Sequence, residues 1–252
     1  MGLYHIRQHA PLVHCISNIV VANFKANGLL AIGASPVMAD APEEVAQMVA
    51  IAGALSINMG TLNSESVKAM LAAGIAANNL GVPVVFDPVG AGATEFRRTT
   101  TERIMQQVKL AVLRCNIGEL AAVAGVAWQQ KGVDAGEGDI DTITLAKQVA
   151  TQYQTVVAVT GEVDIVTDGE RVLEIAGGST LTPQVTGTGC LLSAVVAASL
   201  VGADNALEAT ASVLQDYKRV AEQAAAASHQ AVGSFQVAFL NALQQISTEI
   251  TA

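Results

Sequence analysis

The sequence predicts an α/β fold: a mostly parallel central sheet, helices on both faces, and an antiparallel hairpin at one edge. Three observations carry this. Short β-rich runs ending in Asn, Asp or Gly alternate with longer Ala-rich segments, the rhythm of βαβ units. The runs Val82–Phe86, Leu110–Cys115 and Val156–Val159 are apolar without alternation, so both faces of each are expected to be buried. Asp168-Gly169 stands between two β-like runs inside Glu162–Ile175, which signals a hairpin.

Taken in order, Leu12–Ile16 reads as the first strand and Val20–Ala31 as a helix. Ser35–Met38 is a short strand, and Pro42–Ile51 a helix with proline near its start, where a missing N–H does no harm. Ala54–Met59 is a strand, followed by a helix over Ser64–Leu80 that Gly81 ends. The three apolar runs extend the parallel sheet and the hairpin closes it. From Gly187 onward the chain reads helical, punctuated by Asp204, Asn205 and Gly233. The Gly- and acid-rich stretch Lys131–Asp139 is an expected surface loop. No repeat and no Pro-, Gly- or Ser-rich linker divides the chain, so one domain over residues 1–252 is expected.

Composition excludes several functions. Hydrophobic residues make up 51% and charged residues 14%, which supports a large core and, with little charge to cover a monomer, an oligomer. The net charge is −9 with no Lys/Arg cluster, so nucleic acid and anionic membranes are poor partners. A polyanionic ligand would need backbone amides and a metal ion. Cys15, Cys115 and Cys190 are scattered and form no CxxC pair, which points to reduced thiols, a cytoplasmic setting and no structural zinc. No signal peptide or myristoylation motif is read at the N-terminus, and the apolar run Cys190–Val201 is too short to span a bilayer.

The most informative stretch is Val185-Thr186-Gly187-Thr188-Gly189-Cys190, a Gly-rich turn opening an apolar helix. Such a turn aims unpaired backbone N–H groups at an anion, and glycine lets the ligand approach closely; a tight loop before a buried helix uses the same residues. In open α/β sheets ligands bind at the carboxyl ends of the strands. Those ends are Ser17-Asn18, Asn58-Met59-Gly60, Asp87-Pro88, Arg114-Cys115-Asn116 and Thr160-Gly161.

Asp87, before the loop Pro88–Gly92, suits Mg²⁺ or its bound water, although a plain turn before proline is the commoner case. Asn116 and Glu119 have capping-box spacing, or face a metal and phosphate with Arg114 reaching the phosphate. Packing explains a buried strand ending in arginine poorly. Thr160-Gly161-Glu162 is a turn or a nucleotide contact. His5, His9, His14 and His229 lack metal-ligand spacing and most are expected at the surface or in caps; Trp128 is expected to pack. The P-loop, GxGxxG, HExxH and GxSxG signatures are absent.

Pro11–Asn18, Gly33–Met38, Asn58–Leu62, Asp87–Gly92, Asn116–Glu119, Val159–Glu162 and Gly187–Cys190 occur in this order over nearly the whole chain. Together they resemble the hydroxyethylthiazole kinase family of the ribokinase-like superfamily. The resemblance implies a ribokinase-like fold and ATP- and Mg²⁺-dependent phosphorylation of 4-methyl-5-(2-hydroxyethyl)thiazole, a thiamine-salvage step. It also implies a homotrimer with active sites between subunits. Carried over, Met38 and Gly187 contact the alcohol with Asn18 nearby. Arg114 and Thr160 bind ATP, with Asn116 beside them, and Asp87 and Glu119 serve the magnesium. Gly187, Gly189 and Cys190 form the catalytic anion hole.

Two positions depart from the wider pattern. Most ribokinase-like enzymes end the anion-hole turn with Asp as general base, whereas Cys190 stands here, as in other thiazole kinases. A thiol is mostly protonated at neutral pH unless the helix N-terminus lowers its pKa. A nicotinamide-hydrate dehydratase, a sugar kinase or a pyrimidine kinase of the superfamily is expected to keep that Asp. The non-enzymatic alternative is a nucleotide-binding relative that has lost its base. Cys115 stands where glycine is expected, and would crowd the phosphate contact of Arg114.

Overall fold

The computed structural model describes residues 2–126 and 141–249, and its architecture is set by one eight-stranded sheet. In chain order the elements are α1 (Gly2–His9), β1 (Leu12–Ile16), α2 (Ala22–Ala31), β2 (Ser35–Val37), α3 (Val45–Ile51), β3 (Ala54–Asn58) and α4 (Ser64–Leu80). Next come β4 (Val84–Asp87), α5 (Glu95–Gln107), β5 (Val112–Asn116), α6 (Ile117–Val123), α7 (Thr142–Tyr153) and β6 (Val156–Thr160). The hairpin β7 (Asp164–Thr167) and β8 (Val172–Ile175) leads to α8 (Thr188–Ser199), α9 (Ala206–Ala227) and α10 (Val232–Thr248). The strand order is β2-β1-β3-β4-β5-β6-β7-β8. Every pair from β2 to β6 is parallel, and β7 and β8 are antiparallel, as the alternation and the Asp168-Gly169 turn predict.

Helices α1, α2, α8, α9 and α10 build one apolar layer with side chains such as Leu3, Val195, Phe235 and Phe239. Helices α3 to α7 build the layer on the opposite face, around Val49, Met70, Ile104, Leu120 and Val149. Helix α8 lies inside the first layer and is buried from Leu191 to Ser199, which explains why that run is apolar all round.

Where boundaries differ from the sequence pattern, a backbone group is the reason. Val82 does not open β4, because its N–H bonds back to Ala77 O while Gly81, at φ 71°, closes α4. Pro83 then has no N–H for the ladder. The helix expected from Pro42 starts at Val45 after a turn, and the one expected from Val20 starts at Ala22. Helix α5 carries a weak periodic signal; it is largely polar, EFRRTTTERIMQQ, and is held by its Thr94 cap. His14 is not one of the surface or cap histidines. It lies in β1, fully buried, and its ring Nε2 meets Ala39 O at 2.7 Å. Trp128 and the loop Lys131–Asp139 lie outside the described residues.

The position of α8 depends on a glycine. A Cβ on Gly28 of α2 would stand 2.3 Å and 2.5 Å from the two methyl carbons of Leu191, which is itself fully buried. Gly28→Ala gains about 0.5–1 kcal/mol of helix propensity but overpacks a closed site at about 1–3 kcal/mol. The clash wins, and denaturant unfolding will show a net loss of about 1–2 kcal/mol.

Candidate active site

Five neighbouring strands each deliver one polar residue to the carboxyl edge of the sheet: Asn18 just past β1, Asn58 on β3, Asp87 on β4, Arg114 on β5 and Thr160 on β6. They are linked side chain to side chain. Asn18 Nδ2 donates to Asn58 Oδ1 at 2.8 Å, and Asn58 Nδ2 donates to Asp87 Oδ2 at 2.8 Å. An Arg114 guanidinium nitrogen lies 3.8 Å from Asp87 Oδ1, and Arg114 donates to Thr160 Oγ1. Ser193, one turn into α8, adds a second donor to Asp87 Oδ2 at 2.7 Å.

The start of α8 sits over this row. Gly187 holds φ 100°, a left-handed conformation that disfavours any side chain. Leu191 N is the first amide to bond back, to Gly187 O at 2.8 Å, so Thr188, Gly189 and Cys190 present amides without intrahelical acceptors. Gly189 permits a close approach: a Cβ there would lie 3.0 Å from the Arg114 guanidinium. The turn is braced from behind, because Thr188 Oγ1 donates to Thr182 O and Val185 O, and Tyr217 Oη donates to Thr188 O at 2.7 Å.

Cys190 is half-buried and reduced, and Asn18 Nδ2 approaches its sulfur at 3.5 Å. Burial pushes its thiol pKa up and Asp87 adds to the rise; Asn58, Arg114 and Lys25 only offset it. The surroundings of the thiol thus work against ionisation. Cys115 does not crowd the site as expected. It packs fully buried in the α3–α7 layer, whereas its neighbour Arg114 reaches Gly189 on the α8 side.

Asn116 and Glu119 form the reciprocal capping box: Glu119 N donates to Asn116 Oδ1 at 2.8 Å, and Asn116 N to Glu119 Oε2 at 2.9 Å. Glu119 also takes Gly90 N at 3.0 Å, tying α6 to the loop after Asp87. Asn116 thus shows a local capping role, while Glu119 joins two loops of the site. Met38 follows β2, half-buried against the α8 layer, with its neighbour Ala39 pinned by His14.

A divalent cation fits the two carboxylates. Asp87 Oδ1 is buried without a hydrogen-bond partner, as is Arg114 Nε. Burial, then the charge of Asp87, raises the Glu119 pKa to about 7 against the pull of Arg114, and a cation would relieve that repulsion. No group of three or more His, Cys, Asp or Glu side chains gathers among the described residues, so water and phosphate oxygens would complete the shell.

Some functional residues have no sequence signal. Asn58 is visible only as a strand end, and Ser193 looks like a break in an apolar run. Arg97 sits in the polar helix α5, yet donates to Met59 O at 2.6 Å and to Val89 O and Gly60 O at 2.7 Å, clamping the loops after β3 and β4. Lys25 is fully buried and donates to Ser56 Oγ at 3.1 Å.

The fold and site define a class first. A solved structure from Enterococcus faecalis V583, described as a ribokinase-like superfamily protein, matches with a TM-score of 0.67 over 99% of this chain and 90% of that one, at 10% identity. The fold is ribokinase-like. The model of the hydroxyethylthiazole kinase family then matches residues 3–249. A hydroxyethylthiazole kinase of Lysinibacillus sphaericus (strain C3-41) is 53% identical over 244 residues, covering 97% of this chain and 95% of that protein. A solved hydroxyethylthiazole kinase structure from Pyrococcus horikoshii OT3 matches with a TM-score of 0.87 at 42% identity, over 96% of this chain and 91% of that one. The chain belongs to the hydroxyethylthiazole kinase family.

The raised Glu119 pKa gives a pH signature in metal-free buffer. The folded value, about 7, lies above the ordinary 4.5, so between these pH values the folded state binds more protons than the unfolded one. Stability therefore falls as pH rises through this window. Glu119→Gln removes that slope, which urea unfolding at pH 4.5, 5.5, 6.5 and 7.5 will measure.

Proposed function

We propose that this chain transfers the γ-phosphoryl group of ATP, with Mg²⁺, to the hydroxyl of 4-methyl-5-(2-hydroxyethyl)thiazole, a step of thiamine salvage. The carrying observation is the Gly187–Cys190 turn set over the Asp87–Arg114 pair: unpaired amides, a cation and two carboxylates converge where phosphate charge must be held. Family membership and the apolar, half-buried Met38 support the thiazole as acceptor. Met38, Gly187 and Asn18 hold the alcohol in this reading, and Arg114, Thr160 and Asn116 the nucleotide. The amides of Gly187, Gly189 and Cys190 take the charge of the transferred group, and Arg114 balances what remains. Magnesium, held through Asp87 and Glu119, would neutralise phosphate oxygens when bound.

The same reading makes residues 1–252 one catalytic domain of a cytoplasmic homotrimer. Ile19 and Val20, next to Asn18, are 82% and 68% exposed, and Val232 and Val237 are exposed as well. These side chains flank a cleft of about 250 Å³ lined by Val20, Phe24, Val185 and Thr186. A second copy seated on them would place the sites between subunits. No helix among the described residues is long and apolar enough to cross a membrane.

ADP release from MgATP tests the assignment. Release will depend on the thiazole alcohol and not on sugars or hydroxymethylpyrimidine. Release with another alcohol overturns the substrate. ATP binding without alcohol-dependent release favours the non-catalytic relative. Cys190→Asp puts a stronger base at the same helix position, so kcat will be kept or raised; a folded Cys190→Asp that loses turnover removes residue 190 from the base position.

A further inference from the structure

Asn58 has no role in the transfer described so far, yet it joins the two halves of the site. It is 1% exposed and every contact of its carboxamide is directional. Oδ1 accepts from Asn18 Nδ2 at 2.8 Å and from the backbone N–H of Gly60 at 3.0 Å; Nδ2 donates to Asp87 Oδ2 at 2.8 Å. The orientation of the amide is forced. Gly60 N–H needs an oxygen opposite it, and the Asp87 carboxylate needs a donor, so a flipped Asn58 would break both bonds. Asn18 is locked in turn, because its own Oδ1 accepts from Val21 N at 3.2 Å while its Nδ2 faces Asn58 Oδ1 and the Cys190 sulfur.

We infer that Asn58 is a positioning residue for phosphoryl transfer, one carboxamide that orients Asn18 on the alcohol side and Asp87 on the phosphate side. With Ser193 it also occupies Asp87 Oδ2, so that Oδ1 is the oxygen left facing Arg114 and the phosphate region. The inference rests on the thiazole kinase reading and adds to it a residue that touches neither substrate.

The two functions of the amide separate by substitution. Asn58→Asp keeps an acceptor for Asn18 and Gly60 but sets a carboxylate against Asp87. Asn58→Leu, of similar volume, loses acceptor and donor together. Calorimetric titration with the thiazole alcohol in the absence of nucleotide reads the first function, kcat reads the second, and thermal melting identifies variants that fail to fold. In Asn58→Asp the alcohol Kd will stay within about threefold of the wild type while kcat falls at least about tenfold. In a folded Asn58→Leu both will worsen at least about tenfold. If Asn58→Leu does not fold, the split in Asn58→Asp decides alone. An Asn58→Asp variant in which Kd and kcat move together, which keeps wild-type turnover, or which itself fails to fold makes Asn58 a structural residue and overturns the inference, leaving the kinase assignment intact. Wild-type protein that binds no thiazole alcohol overturns the assignment and this inference with it.

Discussion

The site depends on one buried negative charge. Asp87 is fully buried at the end of β4, where an unpaired carboxylate would be expelled or protonated. It is kept by two donors, Asn58 from β3 and Ser193 from α8, and by the charge of Arg114 from β5, 3.8 Å away. Each of the three carries a second task. Asn58 holds Asn18, Ser193 fixes the first turns of α8 against the sheet, and Arg114 reaches Thr160 and the surface of Gly189. Satisfying one charge therefore aligns the sheet edge with the helix N-terminus.

Helix α8 meets two demands. Its body is buried on every side, so it cannot shift without opening a cavity, and its first turn offers amides to an anion. Rigid packing behind and open donors in front form a preorganised electrostatic site. Glycine is needed at two points of this arrangement, Gly28 where α2 touches Leu191 and Gly187 at positive φ, and at Gly189 it leaves room for Arg114. Tyr217 and Thr188 lock the turn from the α9 side.

Charge at the carboxyl edge of the sheet is balanced between Arg114 and two carboxylates. Arg114 stays protonated because Asp87 and Glu119 outweigh the burial that opposes its charge. Burial, and then the charge of Asp87, raise the Glu119 pKa, a condition a bound cation would relieve. Cys190 is pushed the same way, by burial first and then by the charge of Asp87.

Much of the fold is legible in the chain because it is encoded locally. Alternating apolar strands and Ala-rich helices, Gly81 closing α4, the Asp168-Gly169 hairpin, the Gly187–Cys190 turn and the Asn116/Glu119 box each need only neighbours within a few residues. These local signals also place Asn18, Asp87, Arg114 and Thr160 at strand ends, on one edge of a parallel sheet. Their partners are another matter. Asn58 meets Asp87 across 29 residues and Ser193 meets it across 106, distances over which no spacing rule operates. The direction of the Asn58 amide, the burial that lifts Glu119 and Cys190, and the Arg97 clamp on three distant carbonyls arise only when separate strands and helices share one desolvated space. Local propensity is a property of the chain, whereas desolvation and long-range pairing are properties of the packed fold.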